Sequence, residues 1–390
     1  MNTKEKDLKY IMHTYGRYDV ALKSANGATA YDEDGKKYID VSSGIGVNSL
    51  GYCDRGWVKA VAEQAGTIQH MSNYFYCSRA SNLAEKLCTL TGLSKVCFGN
   101  SGAEANECAI KIARKYSFDK YGAQRNEIIT LRNSFHGRTV TTLAATGQDV
   151  FHNYFFPFTE GFKYVEADNL DSFKNAVSGK TCAVMLELIQ GEGGLNILSR
   201  EYVQSLVRYC NENDILVIID EVQTGAGRTG RLFAFENYGI TPDVITAAKG
   251  LGGGLPIGVC ICGEKLKDVM TPSTHGTTFG ANPVVCAGAN YVVDKISDTE
   301  FLNEVETKGK YLQQKLSSID GIKNIRRMGL MVGIELESAD AHDIAVKCVE
   351  NGLLIITAKA LLRMLPPLTI SYEEIDEAVK ILEKTIKENN

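Results

Sequence analysis

Short apolar runs alternate with longer amphipathic stretches through the middle of the chain, and that alternation predicts its elements. Residues 215–219 are wholly apolar, 244–248 nearly so, and 95–98, 127–131 and 181–188 are runs of the same kind. Runs this short, bounded by polar or glycine-rich turns, read as buried strands. Between them, 83–90, 103–116 and 201–211 carry apolar residues at helical spacing. Strands buried on both faces and alternating with helices predict a mostly parallel sheet. A further run at 257–262 predicts another strand, in either direction.

The two ends have a different texture. Asn26-Gly27 separates 20–22 from 28–31, and Asp34-Gly35 separates 28–31 from 37–41. Both dipeptides tolerate the positive φ angles of tight hairpin turns, so a small antiparallel meander is expected. Residues 42–48 read as a glycine-containing loop and 57–68 as a helix. Beyond Asn282-Pro283, helices are expected at 284–296, 302–319, 344–351 and 373–387, with strands at 322–326 and 331–336 across a turn at Gly329. The expected fold is α/β. A large domain, 51–280, surrounds a mostly parallel central sheet. A smaller α+β domain covers 281–390, and the N-terminal segment 1–50 joins it through its meander.

Composition narrows the class. The chain has 390 residues, 44% apolar and 23% charged, which allows two domains and a large core. A net charge of −5, without a basic stripe, points away from nucleic acid. No apolar run approaches the ~20 residues of a membrane helix, and the polar first ten residues suggest no leader. The eleven cysteines are odd in number and scattered, several within apolar runs, such as Cys97, Cys182 and Cys286. Cys260-Ile261-Cys262 has neither a second pair nor a nearby His, so no metal site is expected. Buried thiols in a reducing cytoplasm fit this usage.

Candidate chemistry gathers where strands end. The run at 244–248 ends in Lys249, and Gly250-Leu251-Gly252-Gly253-Gly254 follows. Open α/β sheets keep ligand sites at that edge. A lysine desolvated there loses some preference for its charged form, and a neutral amine can form a Schiff base. The run at 215–219 ends in Asp220-Glu221-Val222-Gln223; Asp220 needs a cationic or hydrogen-bonding partner there, or it caps a turn. Asn100-Ser101-Gly102-Ala103-Glu104 opens a helix straight after a strand. It suits a phosphate, although Ser101-x-x-Glu104 is also a capping box. Phe135-His136-Gly137-Arg138 offers a stacking face and a carboxylate-binding cation, or a surface turn. Gln190-Gly191-Glu192-Gly193-Gly194 sets a carboxylate among glycines, and Arg363 is a lone cation among apolar residues. His275-Gly276-Thr277-Thr278-Phe279-Gly280 supplies two hydroxyls between glycines, for a phosphate or for a turn.

In that order, the motifs resemble those of the class III pyridoxal-phosphate-dependent aminotransferases of fold type I, over nearly the whole chain. Phe135 to Arg138, the Gln190 to Gly194 run and the chain length are most similar to the acetylornithine branch. The resemblance implies pyridoxal 5'-phosphate held by Lys249, which then shuttles a proton. It implies that Asp220 pairs with the ring nitrogen, Gln223 faces the phenolate oxygen and Phe135 stacks on the ring. It puts further cofactor contacts at Ser101, Gly102, Ala103, Glu221, Val222 and, from the other subunit of a homodimer, Thr278. Substrate contacts are implied at Arg138, Thr277, Glu192 and Arg363. The implied reaction moves a terminal amine to 2-oxoglutarate in two half-reactions, in arginine biosynthesis, with active sites at the subunit interface of a cytoplasmic protein. Ornithine, 4-aminobutyrate or succinylornithine are alternative donors. Three positions depart from the family pattern. Tyr52-Cys53-Asp54-Arg55 stands where His-x-His-Pro is common, Leu188 where a proline usually follows Glu187, and Ala360 to Leu362 precede Arg363 where an Asn is frequent. A dinucleotide-binding oxidoreductase fits poorly, because Leu255 fills the place of the last glycine in G-x-G-x-x-G and Pro256 follows. A Walker A loop fails as well, since Lys249 precedes its glycines. The intact Lys249, Asp220 and phosphate turn speak against a non-catalytic scaffold.

Overall fold

The computed structural model describes residues 1–389. Its strands are β1 (Leu22–Asn26), β2 (Thr29–Asp32), β3 (Lys37–Asp40), β4 (Lys95–Gly99), β5 (Glu127–Leu131), β6 (Phe162–Val165), β7 (Thr181–Leu186), β8 (Ile189–Gln190) and β9 (Asn196–Ile197). They continue as β10 (Leu216–Asp220), β11 (Val244–Ala247), β12 (Gly258–Cys262), β13 (Ile322–Met328), β14 (Met331–Leu336), β15 (Leu353–Leu354), β16 (Ile356–Ala358) and β17 (Leu361–Met364).

Seven strands form the central sheet, in the order β4-β12-β11-β10-β7-β5-β6. All run parallel except β12, which pairs antiparallel with both neighbours. Chain length explains the exception. Only residues 248–257 join β11 to β12, too short for the helical crossover a parallel return needs. The strands alternate between two apolar clusters, one on each face. Val184, Leu186, Val217, Ile219 and Ile245 fall in one cluster. Ala183, Met185, Leu216, Ile218 and Val244 fall in the other. With both faces covered, β7, β10, β11 and β12 are buried along their whole length, so their sequences read as continuous apolar runs.

The meander β1-β2-β3 forms as expected, and β15 adds parallel to β3 through Leu353 and Ile39. The N-terminal segment is thereby tied to the C-terminal part. The first hairpin turns one residue later than the Asn-Gly signal suggests, because Asn26 already pairs with Thr29. The loop at 42–48 contains a left-handed turn: Ser43, Gly44, Ile45 and Gly46 all have positive φ. A second sheet, β13-β14-β17-β16, holds Arg363 in register with Gly333. Helix Pro283–Ile296 packs against helices Arg55–Ala65 and Ser78–Thr91, so one core runs on across residue 281.

The edge strand β6, helices Val140–Ala145 and Leu170–Ala176, and strands β16 and β17 carry no pattern recognised in the sequence. Each has seven residues or fewer, too short for a period to emerge.

Close packing behind β4 generates one stability prediction. Gly258 opens β12 opposite Gly99, and a Cβ on it would lie 2.0 Å from the Ser101 carbonyl oxygen. Gly258→Ala should lower stability by ~1–3 kcal/mol, the usual cost of overpacking, in urea denaturation. Gly276→Ala, with nothing within 4 Å, should stay within ~0.5 kcal/mol of the parent.

Candidate active site

The C-terminal ends of β4, β5, β7, β10 and β11 deliver Ser101, Phe135, Glu187, Asp220 and Lys249 to one edge of the sheet. There they line a cavity of about 490 Å³, together with Gly102, Ala103, Arg138, Val222 and Gln223. Parallel strands bring their C-terminal ends to one side, which is why residues far apart in sequence meet here.

Asp220 closes β10 and is 3% exposed. Its Oδ2 accepts from Asn106 Nδ2 at 2.8 Å and faces His136 Nδ1 at 2.8 Å. Its Oδ1 accepts the Val222 N–H at 3.0 Å. The carboxylate is thus buried and hydrogen-bonded, as a charge at such a place must be. Through Oδ1 it also caps the turn that follows β10, while Oδ2 is held by side chains from other segments.

Lys249 lies one strand over. Its φ is 44°, a left-handed value that is uncommon for a residue with a side chain. Close packing holds the turn: Ser49 Oγ donates to the Gly250 carbonyl at 2.6 Å and Trp57 Nε1 to that of Gly252 at 3.1 Å. Burial pushes the Lys249 amine below its ordinary value. Arg363 adds to that push, while Glu192, Asp220 and Glu187 oppose it.

Opposite the lysine, helix Gly102–Tyr121 opens into the cavity. Ser101 Oγ accepts the Glu104 N–H at 3.2 Å, and the Glu104 carboxylate turns back to the Asn100 N–H. The first-turn N–H groups of Gly102 and Ala103 carry the positive end of the helix dipole. Residue 102 must be small, because a Cβ there would lie 2.6 Å from Val222.

At the other end, Arg363 is 2% exposed and paired with Glu192. Its Nη1 donates to Glu192 Oε1 at 2.6 Å, Nη2 to Oε2 at 3.3 Å, and Nη1 also to Gln223 Oε1 at 3.2 Å. Desolvation raises the Glu192 carboxyl, but the Arg363 charge and hydrogen bond outweigh it and hold the group below its ordinary value. Arg138 stands at the exposed side of the cavity. Its guanidinium lies 3.9 Å from the centre of the Phe151 ring and 5.3 Å from that of Phe135.

Glu221, Thr277 and Thr278 do not line this chain's own cavity, as is expected for Thr278, which the resemblance assigns to the other subunit. The Glu221 side chain turns away, because successive residues at a strand end point to opposite sides. It accepts the Phe235 N–H at 2.8 Å and bonds Thr224 inside the core. Thr277 is bound to Asn100, whose Nδ2 donates to its Oγ1 at 3.0 Å. Thr277 and Thr278 both line a separate cavity beside Asn73 and Tyr74. Other site residues escaped the sequence reading. Asn106 sits four residues past Gly102, hence on the same helix face. His136 lies within Phe135-His136-Gly137-Arg138 but carries no sequence signal of its own. Glu187 ends β7 much as Asp220 ends β10, and its carboxylate accepts the Phe135 N–H at 2.9 Å and that of Gly191 at 3.2 Å. Burial and the Asp220 charge push Glu187 well up from its ordinary value. Phe151 gave no signal beyond being aromatic.

Comparison with known proteins gives a consistent result. Residues 10–386 match the family model for aminotransferase class-III. An acetylornithine aminotransferase of Haemophilus ducreyi is 49% identical over 99% of this chain and 98% of its own. The crystal structure of N-acetylornithine aminotransferase from Stenotrophomonas maltophilia superposes with a TM-score of 0.85 at 34% identity, covering 96% of this chain and 97% of its own. An ornithine aminotransferase from Toxoplasma gondii, described with partial occupancy of PLP at its active site, gives 0.93 at 30% identity, over 98% and 93%.

Glu221 provides a pH test of this site's surroundings. Burial pushes its carboxyl up to about 7, and the nearby Asp220 charge adds to the push. The folded state therefore holds a proton that the unfolded state releases nearer ~4.3. The cost of ionising it is full above about 7 and fades as pH falls toward the ordinary value. Glu221→Gln should therefore be more stable than the parent at pH 8, with the gap shrinking by pH 5 in paired thermal melts.

Proposed function

The chain belongs to the class-III aminotransferases, and from that membership we propose that it moves the terminal amine of N2-acetylornithine to 2-oxoglutarate. The products are the semialdehyde and glutamate, a step of arginine biosynthesis. One observation carries the reading: Lys249, Asp220 and the helix opening at Gly102 face one cavity.

Pyridoxal 5'-phosphate fits these residues. An anion belongs at the free N–H groups of Gly102 and Ala103, with the Ser101 hydroxyl beside them. A protonated ring nitrogen belongs against Asp220, whose carboxylate is buried and already oriented. Phe135 would stack on the ring, Val222 would pack behind it, Gln223 would face the phenolate oxygen, and Lys249 would hold the group through its amine. When bound, the cofactor supplies an electron sink for the bond broken beside the migrating amine.

The chain's own work is proton transfer and selection. Lys249 Nζ, kept toward its neutral form by burial, would take a proton from the substrate carbon that bears the migrating amine and deliver it to the cofactor side of that nitrogen. Arg138 has no carboxylate partner of its own among the described residues and is free to take one from the substrate. Arg363 is already paired with Glu192. That pair stays closed for a donor that reacts at its far amine, and opens when the α-carboxylate of 2-oxoglutarate competes for Arg363.

The reading includes a homodimer with active sites at the subunit interface. Thr278 then completes the phosphate site of the other subunit and Thr277 lies near its substrate. The exposed rings of Tyr74, Phe75 and Phe279, at 96%, 68% and 62%, support a covered surface beside those threonines. It also keeps the division into 1–50 with 281–390 against 51–280. A cytoplasmic setting agrees with eleven free cysteines.

Lys249→Ala should cut turnover by ~10²–10⁴-fold or more, the scale of a positioned proton carrier. It should also remove the visible absorption that lysine-held pyridoxal phosphate gives; near-normal turnover would sink the assignment. Initial rates with 2-oxoglutarate as acceptor should favour N-acetylornithine over ornithine and 4-aminobutyrate. A faster rate with either of those would transfer the function to that donor.

A further inference from the structure

We propose that Asn106 is a positioning residue that fixes the Asp220 carboxylate to the helix carrying the phosphate site. The inference rests on the reading that pyridoxal phosphate occupies the cavity.

Asn106 is 1% exposed, and both of its amide hydrogens and its oxygen are engaged. Nδ2 donates to Asp220 Oδ2 at 2.8 Å and to the His136 carbonyl at 2.7 Å, while Oδ1 accepts from Thr246 Oγ1 at 2.6 Å. These partners come from β10, β11 and the loop after β5. They also decide the orientation of the amide: a flip would set its carbonyl oxygen against a carboxylate and a second carbonyl. Asp220 Oδ2 is held from two sides, by Asn106 and His136. Oδ1 has only the Val222 N–H and keeps a lone pair for a ligand. Without Asn106, Oδ2 keeps only His136 as a partner, and the carboxylate is held less firmly about its last bond.

Asn106 follows Gly102 by four residues on helix Gly102–Tyr121, about one turn and ~6 Å along the axis. A single rigid element thus sets both charged contacts of the cofactor, one at the helix opening and one through Asp220. Pre-set charges of this kind act without reorganisation during reaction.

The test uses Asn106→Ala and Asn106→Asp in the full-length protein, with Asp220→Asn as reference. Readouts are kcat at saturating cofactor and the dissociation constant of pyridoxal phosphate from the cofactor-free protein by equilibrium dialysis, from pH 6 to 9. Asn106→Ala should weaken cofactor binding and lower kcat, each about tenfold or more, the scale of one hydrogen bond to a charged group. Asn106→Asp has nearly the same shape but adds an acid beside Asp220. His136, Glu187 and Lys249 also face that carboxylate, and Glu221 feels its charge from the core side. While the new pair shares a proton, the added acid donates to Asp220 in the amide's place, although the bond to the His136 carbonyl is lost. Binding and kcat are therefore expected to be highest at the acid end, falling as pH rises while the parent lacks that limb. A parental pH profile for Asn106→Asp, together with unchanged constants for Asn106→Ala, would overturn the inference. Should neither Asn106 variant fold, Thr246→Val, which removes the amide's hydroxyl partner, should weaken cofactor binding; parental binding by it would count as the same refutation. If Asp220→Asn is impaired and the Asn106 variants are not, this inference alone fails. If all of them bind the cofactor as the parent does, the cofactor reading fails too.

Discussion

A buried carboxylate at the end of a central strand sets the terms for the whole cavity. An ionised group withdrawn from water must be repaid in hydrogen bonds, and Asp220 draws its bonds from three directions. Each partner fixes a segment. Asn106 fixes the helix, His136 the loop after β5, and the Val222 N–H the turn beyond β10. Those segments are the ones that carry Gly102, Phe135, Arg138 and Gln223. The floor of the cavity and its walls are therefore placed by the demands of one charge.

The lysine obeys a different constraint, which is space. Its turn threads between elements that leave no room for side chains. A Cβ on Gly250 would lie 3.2 Å from the Gly46 carbonyl, and one on Gly253 would lie 2.7 Å from Trp57. Lys249 keeps its positive φ because that packing over-determines it. The glycines beside it answer to Trp57 and to the left-handed turn at 43–46. The composition of this stretch follows from backbone against backbone as much as from the ligand.

Much of this was legible before any coordinates. Runs such as 215–219 and 244–248 announce themselves because both faces of the sheet are covered, so nearly every position is apolar. The ends of those runs then mark the ligand edge, which is how Lys249 and Asp220 stood out. The partners of Asp220 did not, since Asn106 and Thr246 become neighbours only when the helix packs on β11. Arg363 was visible as a cation out of place, but its strand, four residues long, was not. Thr277 and Thr278 were visible as hydroxyls near glycines, yet no local pattern says which cavity a loop will face. Sequence records what a strand is buried in; pairings made by tertiary packing are written nowhere along the chain.

The neighbourhood of Asp220 has a consequence beyond catalysis. Glu187, Asp220 and Lys249 face one cavity, and burial disfavours the ionised forms of Glu187 and Lys249. A ligand that neutralises or engages these groups binds the folded chain and not the unfolded one, so its supply adds to stability by mass action.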